Sequence, residues 1–443
     1  MDLLTINDKP GVYPDSWYLH SANQHESYPQ LQDDINADVC IIGGGYTGLS
    51  TALHLAKSGI SCVLLEANRV GWGASGRNGG QVGSGFNKSQ QWLEKQLGNA
   101  AATALWELSL ESVRLVEQLV TDNKIDCDLR SNILYPTHSA KEFKEIISDT
   151  EHMQSHYSAD QLEIVGPDEI ANWVASDLYQ GGVLNQYARH LHPLNYALGL
   201  AKAARDAGVQ IYENSRVEKL RLPWLRSHAS ISGHRVETAA GAVVAQHVVL
   251  ACNGYLNDLH SEVAKHVMPI NNYIVATNPL PGCFPEKVLA NNVAVADSRF
   301  VVNYFRLSHD NRLLFGGGET WSYRFPQDMR ALVRKNLLQV FPQLEDCTLD
   351  FAWGGTLAIT RERLPFAKRL GKGVWTAGGY SGHGVAMATL SGKLISQAIN
   401  DDPSAFELLS SLPCSDFPGG EKSRPVLLKL GMAWYALRDK LDF

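Results

Sequence analysis

The sequence predicts an α/β protein in which a nucleotide-holding domain is interleaved with a second, mixed-sheet α+β domain. Three observations predict it. A strand, a glycine-rich turn, a helix and a second strand follow one another within residues 38–66. Related signatures of strand and glycine turn recur near 192–258 and 352–400. The stretches between them read as two insertions of strands and helices bounded by polar turns. One chain folding through two interleaved domains accounts for this spacing better than domains in series.

The first unit is the most specific. Val39-Cys40-Ile41-Ile42 suits a buried parallel strand and ends in Gly43-x-Gly45-x-x-Gly48. Helical spacing starts at once through Leu49, Ala52, Leu53 and Ala56; Gly59 stops it, and Cys62-Val63-Leu64-Leu65 forms a strand ending in Glu66. Gly43 permits the tight turn, Gly45 admits a pyrophosphate close to the backbone, and Gly48 lets helix and strand pack closely. The helix start offers unpaired N–H groups and a positive dipole end. Glu66 accepts hydrogen bonds from a ribose diol and repels a 2′-phosphate.

Composition bounds the rest. The 443 residues suffice for two or three domain-sized units, and the net charge of −7 argues against a general nucleic-acid binder. The seven cysteines are scattered without a C-x-x-C pair, which suits small buried hydrophobes with reduced thiols. The opening Met1-Asp2-Leu3-Leu4 lacks a basic signal-peptide region, and no apolar run reaches the eighteen or so residues of a membrane span. The expectation is a soluble, cytoplasmic protein, with no metal and an oligomeric state that the sequence leaves open.

Along the chain, residues 1–35 read as an arm pinned by Trp17 and Tyr18. Helices are expected over about 89–120, 195–207 (stopped by Gly208) and 327–340, and strands over 209–212, 243–252, 293–302 and 313–315. Residues 374–399 run strand, glycine turn, helix. The expected nucleotide domain comprises 36–90, 186–258 and 350–410, and the second domain 91–185 and 259–349. A tail helix is expected within 411–443, with Leu427, Leu430, Trp434, Leu437 and Leu441 on one face. Docking on its own domain is the favoured role for that face, and membrane-surface contact the alternative.

Two further glycine-rich segments point to a cofactor bulkier than a nicotinamide. Small residues in Trp72-Gly-Ala-Ser-Gly-Arg-Asn-Gly-Gly80 let backbone lie against a flat ring, and Arg77 can offset negative charge on a phosphate or an electron-rich ring. Gly378-Gly-Tyr-Ser-Gly-His-Gly384 opens a helix at about Val385 and supplies another positive helix end.

These stretches, with 190–200, 248–255, Tyr304-Phe-Arg306, Phe315-Gly-Gly-Gly-Glu319 and Trp353-Gly-Gly-Thr356, occur in an order that resembles the FAD-dependent amine and D-amino-acid oxidase superfamily, its γ-glutamylputrescine oxidase branch most of all. The resemblance implies a glutathione-reductase-like FAD domain and assigns cofactor contacts position by position. Gly43, Gly45, Tyr46, Thr47, Gly48, Glu66 and Ala67 would hold the ADP portion. Gly73, Ala74, Ser75, Arg77, Asn78, Gly79, Gly80 and Gln81 would cover the flavin. Val217 would touch the adenine side, and Ala251 and Gly254 the pyrophosphate region. Gly355, Gly379, Tyr380, Ser381, Gly382, His383, Gly384 and Val385 would surround the ring. Some relatives tether FAD to a His after the second strand or to a Cys near the Trp353 motif. This chain has neither a His between Arg69 and Gln81 nor a Cys between Trp353 and Pro365, so non-covalent FAD is expected.

The implied chemistry is oxidation of a γ-glutamylated diamine or polyamine to aldehyde and ammonia, with oxygen giving hydrogen peroxide. The alternatives are oxidation of a secondary amine or amino acid of the sarcosine or D-amino-acid kind, and a quinone-linked amine dehydrogenase. Candidate substrate-side residues are His383, Tyr304 and Arg306, the last as a carboxylate binder. His190 and His192 read as packing or capping residues, and Trp72, Trp353 and Tyr380 as possible walls of the site.

Overall fold

A computed structural model describes residues 2–222, 233–256, 259–282, 284–299, 301–320 and 322–418. Strand Ile35–Ile42 lies parallel between Cys62–Leu65 and Ala242–Leu250, with Ile42 level with Leu65 on one side and Leu250 on the other. Gln210–Tyr212 extends this sheet beyond Cys62–Leu65; Val374–Gly378 and then Phe366–Gly371 extend it beyond Ala242–Leu250. A ribbon of Val217–Arg221 and His234–Thr238 pairs onto Ala242–Leu250. Parallel strands covered on both faces must be apolar throughout, and Cys62–Leu65 is buried at every position. One face packs against helices Tyr46–Lys57, Asn99–Asp122, Pro193–Asp206 and Gly384–Ile399 through side chains such as Leu53, Leu108, Leu200 and Leu394. The other packs under the ribbon through Val63, Val236 and Val243.

The second sheet is mostly antiparallel. Its order is Leu349–Ile359, Met268–Thr277, Leu313–Glu319, Tyr304–Leu307, Ala294–Ala296, Arg130–Pro136, Gly182–His190 and Gln81–Val82, with Leu162–Val165 also pairing with Gly182–His190. Leu134, Val295, Phe305 and Phe315 point from one face into a core shared with helix Met329–Val340. The period of two turns the alternate residues towards the first sheet.

The fold class expected from sequence is the one observed. The arm forms a short helix, Trp17–His20, and buries Trp17 and Tyr18. The long helix expected over 89–120 is divided at Gly98, whose φ of +83° ends Gln90–Leu97 before Asn99–Asp122 begins. Among the described residues of 293–302, only Ala294–Ala296 is strand. Several elements lie outside their expected domains: Asn99–Asp122 packs on the helices of the first sheet, and Gln81–Val82 and Leu349–Ile359 lie in the second sheet. Helical periodicity fixes which side of a helix is apolar, not which sheet covers it. The tail helix within 425–443 lies outside the described residues. Among the described residues no helix is long and apolar enough to cross a membrane.

Candidate functional site

One cavity of about 640 Å³ runs from the carboxyl ends of the parallel strands to the inner face of the second sheet. At its first end the walls are backbone. Gly43 has φ +112°, and a Cβ there would lie 2.7 Å from the Ala251 carbonyl oxygen. Helix Tyr46–Lys57 follows Gly45 with no side-chain cap, and helix Gly384–Ile399 follows His383 in the same way. Both positive ends therefore open on one space. They are locked together: Thr47 Oγ1 lies 2.6 Å from the Tyr380 hydroxyl, and a Cβ on Gly392 would lie 2.5 Å from the Thr47 carbonyl oxygen.

Glu66, also on the lining, accepts N–H bonds from Gly44 (2.7 Å) and Asn68 (2.8 Å). Burial raises its carboxyl to about 7, while those N–H bonds pull the other way.

The loop after the second strand forms a roof. Ser75 holds it to the first helix start, its Oγ accepting from Tyr46 N (3.1 Å) and its carbonyl from the Tyr46 hydroxyl (2.6 Å). Arg77 donates from Nε to the Trp72 carbonyl and from Nη1 to Asp8 of the arm (2.7 Å), with its guanidinium 4.3 Å from the centre of the Trp72 ring. Its Nη2 is buried and has no partner among the described residues. Because Arg77 lines the cavity, this donor is available to an acceptor placed there. Two helix ends, a glycine-lined turn, a carboxylate and this guanidinium suit a long anionic dinucleotide carrying a flat ring.

The far end is built from side chains. Tyr304 lies against Gly79 and Gly316, and its hydroxyl donates to Asn272 Oδ1 at 2.5 Å. Tyr135 faces the cavity from the neighbouring strand but one, and burial raises its hydroxyl to about 12. His383 has an unpartnered Nδ1 among the described residues, and burial lowers its imidazole to about 4. Asp297 borders the cavity too, yet its carboxylate is taken by Asn303 N and Nδ2 and by His138 Nε2.

Most residues expected at the site line this cavity, including Tyr304 and His383. Five are not on its wall. Gly48 supports the turn from behind, since a Cβ there would lie 2.0 Å from the Gly43 carbonyl oxygen. Gly80, Gly254 and Gly379 are likewise close-packing positions: Cβ atoms there would meet Leu191 O at 2.0 Å, Leu357 O at 3.1 Å and Thr360 at 2.7 Å. Arg306 is the substantive correction. It is 1% exposed and donates from Nε to the Gly79 carbonyl (3.1 Å), so it braces the roof from behind and does not face the cavity as a carboxylate binder. Trp353 is also core: it packs on Tyr18 and donates to the Arg77 carbonyl (3.1 Å), whereas Trp72 and Tyr380 do line the cavity. His192 caps helix Pro193–Asp206 by accepting from Asn195 N, and buried His190 bonds the Asn292 carbonyl.

Tyr135, Asn272 and Ala296 line the far end without having been expected there. Their strands carry no glycine motif, and only the pairing of distant strands brings them together.

Comparison with known proteins follows the same geometry. The family model described as FAD dependent oxidoreductase (DAO) matches residues 38–398. The chain is 38% identical over 427 residues to gamma-glutamylputrescine oxidoreductase of Escherichia coli (strain K12), covering 96% of this chain and 98% of that relative. It is also 38% identical to the probable oxidoreductase OrdL of Rhizobium meliloti (strain 1021), covering 96% and 97%. Among solved structures, glycine oxidase from Geobacillus kaustophilus shares the fold with a TM-score of 0.65 at 22% identity, covering 83% of this chain and 95% of that one. With the family's model spanning both sheets and the cavity between them, the chain belongs to the DAO family and is an FAD-dependent oxidoreductase.

Proposed function

We propose that the protein oxidises the terminal amine of a γ-glutamylated diamine or polyamine to an aldehyde and ammonia, with oxygen reduced to hydrogen peroxide. The observation that carries this reading is the near full-length likeness to a relative named for gamma-glutamylputrescine. The continuous cavity supports it, because the space beyond the cradle is lined by tyrosines and an asparagine and, among the described residues, has no uncommitted carboxylate.

When bound, FAD supplies a hydride acceptor. In this reading the turn at Gly43 and Gly45, the roof at 73–79, Glu66 and the two helix starts hold it without a covalent bond. The positive helix ends, with Arg77, favour negative charge developing beside them.

The substrate must present a neutral nitrogen, since an ammonium has no lone pair to assist loss of hydride from the adjacent carbon. Aliphatic ammonium groups have a pKa near 10, and a downward shift of three units corresponds to about 4 kcal/mol, within the reach of desolvation. His383, lowered to about 4, is neutral at pH 7 and a weak base. Desolvation by the cavity wall therefore carries the deprotonation. The Tyr135 hydroxyl, raised to about 12, stays protonated and can hydrogen-bond the nitrogen. Carbon gives up a hydride and nitrogen a proton; water then adds to the imine and displaces ammonia. Oxygen takes up the two electrons with two protons.

The test is anaerobic mixing of the yellow holoenzyme with γ-glutamylputrescine, putrescine, sarcosine and D-alanine. Rapid bleaching by γ-glutamylputrescine, followed by peroxide formation on admitting air, is the expected result. Bleaching by sarcosine or D-alanine alone overturns the substrate assignment, and bleaching without peroxide overturns the acceptor.

A further inference from the structure

Three neighbouring strands of the second sheet share one row on the cavity face. Ala296 pairs with Tyr304 across the antiparallel ladder. On its other side the parallel register sets Val295 beside Leu134, which brings Ala296 level with Tyr135. Leu134, Val295 and Phe305 all point into the opposite core, so alternation turns Tyr135, Ala296 and Tyr304 to the cavity, which all three line.

The two rings do not close over the alanine. Tyr304 leans outward over Gly316 on the next strand, where a Cβ would lie 2.1 Å from its ring, and its hydroxyl reaches Asn272 one strand further. Tyr135 leans the opposite way, with its hydroxyl 3.0 Å from a Cβ built on Gly83; that same point lies 3.9 Å from His383. The tyrosine strands stand two strand spacings apart, roughly 10 Å. Their rings splay from the middle and leave a trough whose floor is the Ala296 methyl group. Glycine at 79, 83 and 316 is what allows both rings to lie back. The strand behind the floor is held by Gln81, whose side chain donates to the Val295 carbonyl at 2.7 Å.

We propose that Ala296 sets the size limit of the substrate: the trough between Tyr135 and Tyr304 takes the unbranched carbon chain of the amine, and a larger side chain at 296 fills it. This deepens the function proposed above and rests on the substrate being a linear amine. The trough is apolar at its floor and aromatic at its sides, which suits methylene groups and a nitrogen hydrogen-bonded by the Tyr135 hydroxyl. The absence of a side chain at Gly83 leaves room beside that hydroxyl.

The experiment compares wild type with Ala296→Leu, using Ala296→Gly as the control that keeps the trough open. Binding of propylamine, pentylamine and heptylamine is read from perturbation of the flavin spectrum, alongside kcat/KM for γ-glutamylputrescine. In wild type and Ala296→Gly, affinity should rise with chain length. In Ala296→Leu the rise should vanish and kcat/KM should fall by at least roughly 10- to 200-fold, the range expected when an apolar pocket loses room for one methylene. Flavin content and melting temperature report whether the variant is intact. Ala296→Val, β-branched and suited to a strand, replaces it if Leu prevents folding. An intact variant that keeps the wild-type dependence on chain length overturns the trough alone. Wild type that is bleached by sarcosine and not by γ-glutamylputrescine overturns the substrate reading, and with it the occupant named here.

Discussion

The two ends of the cavity are built from different materials. At the cradle end the surface is main chain: Gly43, Gly45 and the starts of two helices, whose positions are set by contacts such as Gly48 on Gly43 and Gly392 on Thr47. At the far end it is side chain: Tyr135, Ala296, Tyr304 and Asn272, standing on strands whose opposite faces hold the core. A surface of backbone is hard to alter at its closest approaches, because a carbon added at Gly43 or Gly48 collides with a carbonyl oxygen of the main chain. A surface of strand side chains can be changed while the core on the other face keeps the sheet in place. The first end suits a constant cofactor and the second a variable substrate.

That contrast breaks most sharply at Gly48. Gly48→Ala places a carbon against a carbonyl oxygen that has no room to yield, so the loss of stability should exceed about 3 kcal/mol. Flavin should be absent from the purified chain, measured by absorbance and thermal melting. A stable yellow variant would show that the cradle tolerates more than its geometry allows.

Next is the clamp between arm and roof. Arg77 is 1% exposed at its side chain and paired with Asp8 at 2.7 Å. Asp8→Asn leaves a buried cation without its counterion and should cost the flavin-free protein about 3 kcal/mol, read by denaturant unfolding.

Acidification tests the histidines that stay neutral behind the far end. Burial lowers His190 and His192 to about 3. Below the ordinary histidine value the unfolded chain binds protons that the native chain does not, so stability is complete above about pH 6.5 and falls towards pH 3, by about 1.4 kcal/mol per pH unit for each group. Glu66 opposes this trend. Its raised value adds stability that is present below the ordinary carboxyl range and is lost as pH rises to about 7. Unfolding free energies at pH 6.5 and 5 should therefore fall on acidification, and Glu66→Gln should steepen the fall.

The smallest effect separates the two ends. Tyr304→Phe removes the hydrogen bond to Asn272 and should cost about 1 kcal/mol, or roughly fivefold in kcat/KM, with flavin content unchanged. Loss of flavin instead would place Tyr304 with the cradle.

Legibility follows the same division. The first unit could be read because each part carries a local signal: an apolar run, glycines at fixed spacing, a helical period and a terminal Glu66. Its strand Cys62–Leu65 and its turn stand where those signals put them. The Arg306 motif was visible, but a strand pattern gives alternation and not depth, and this arginine proved to brace Gly79 from behind. Asn99–Asp122 shows the same limit among helices, since its apolar stripe names no partner. Ala296 had no signal at all. An alanine in a short strand becomes informative only when Tyr135, over 150 residues earlier, and Tyr304 are set on either side of it.

By itself the sequence determined the fold class, the glycine-built turn and the kind of cofactor it holds, because those depend on backbone conformations that only particular residues adopt. The tertiary structure alone decided which side chains reach the substrate end and which stay behind its wall. Strand order, register and the direction in which each ring leans are set by long-range pairing and packing.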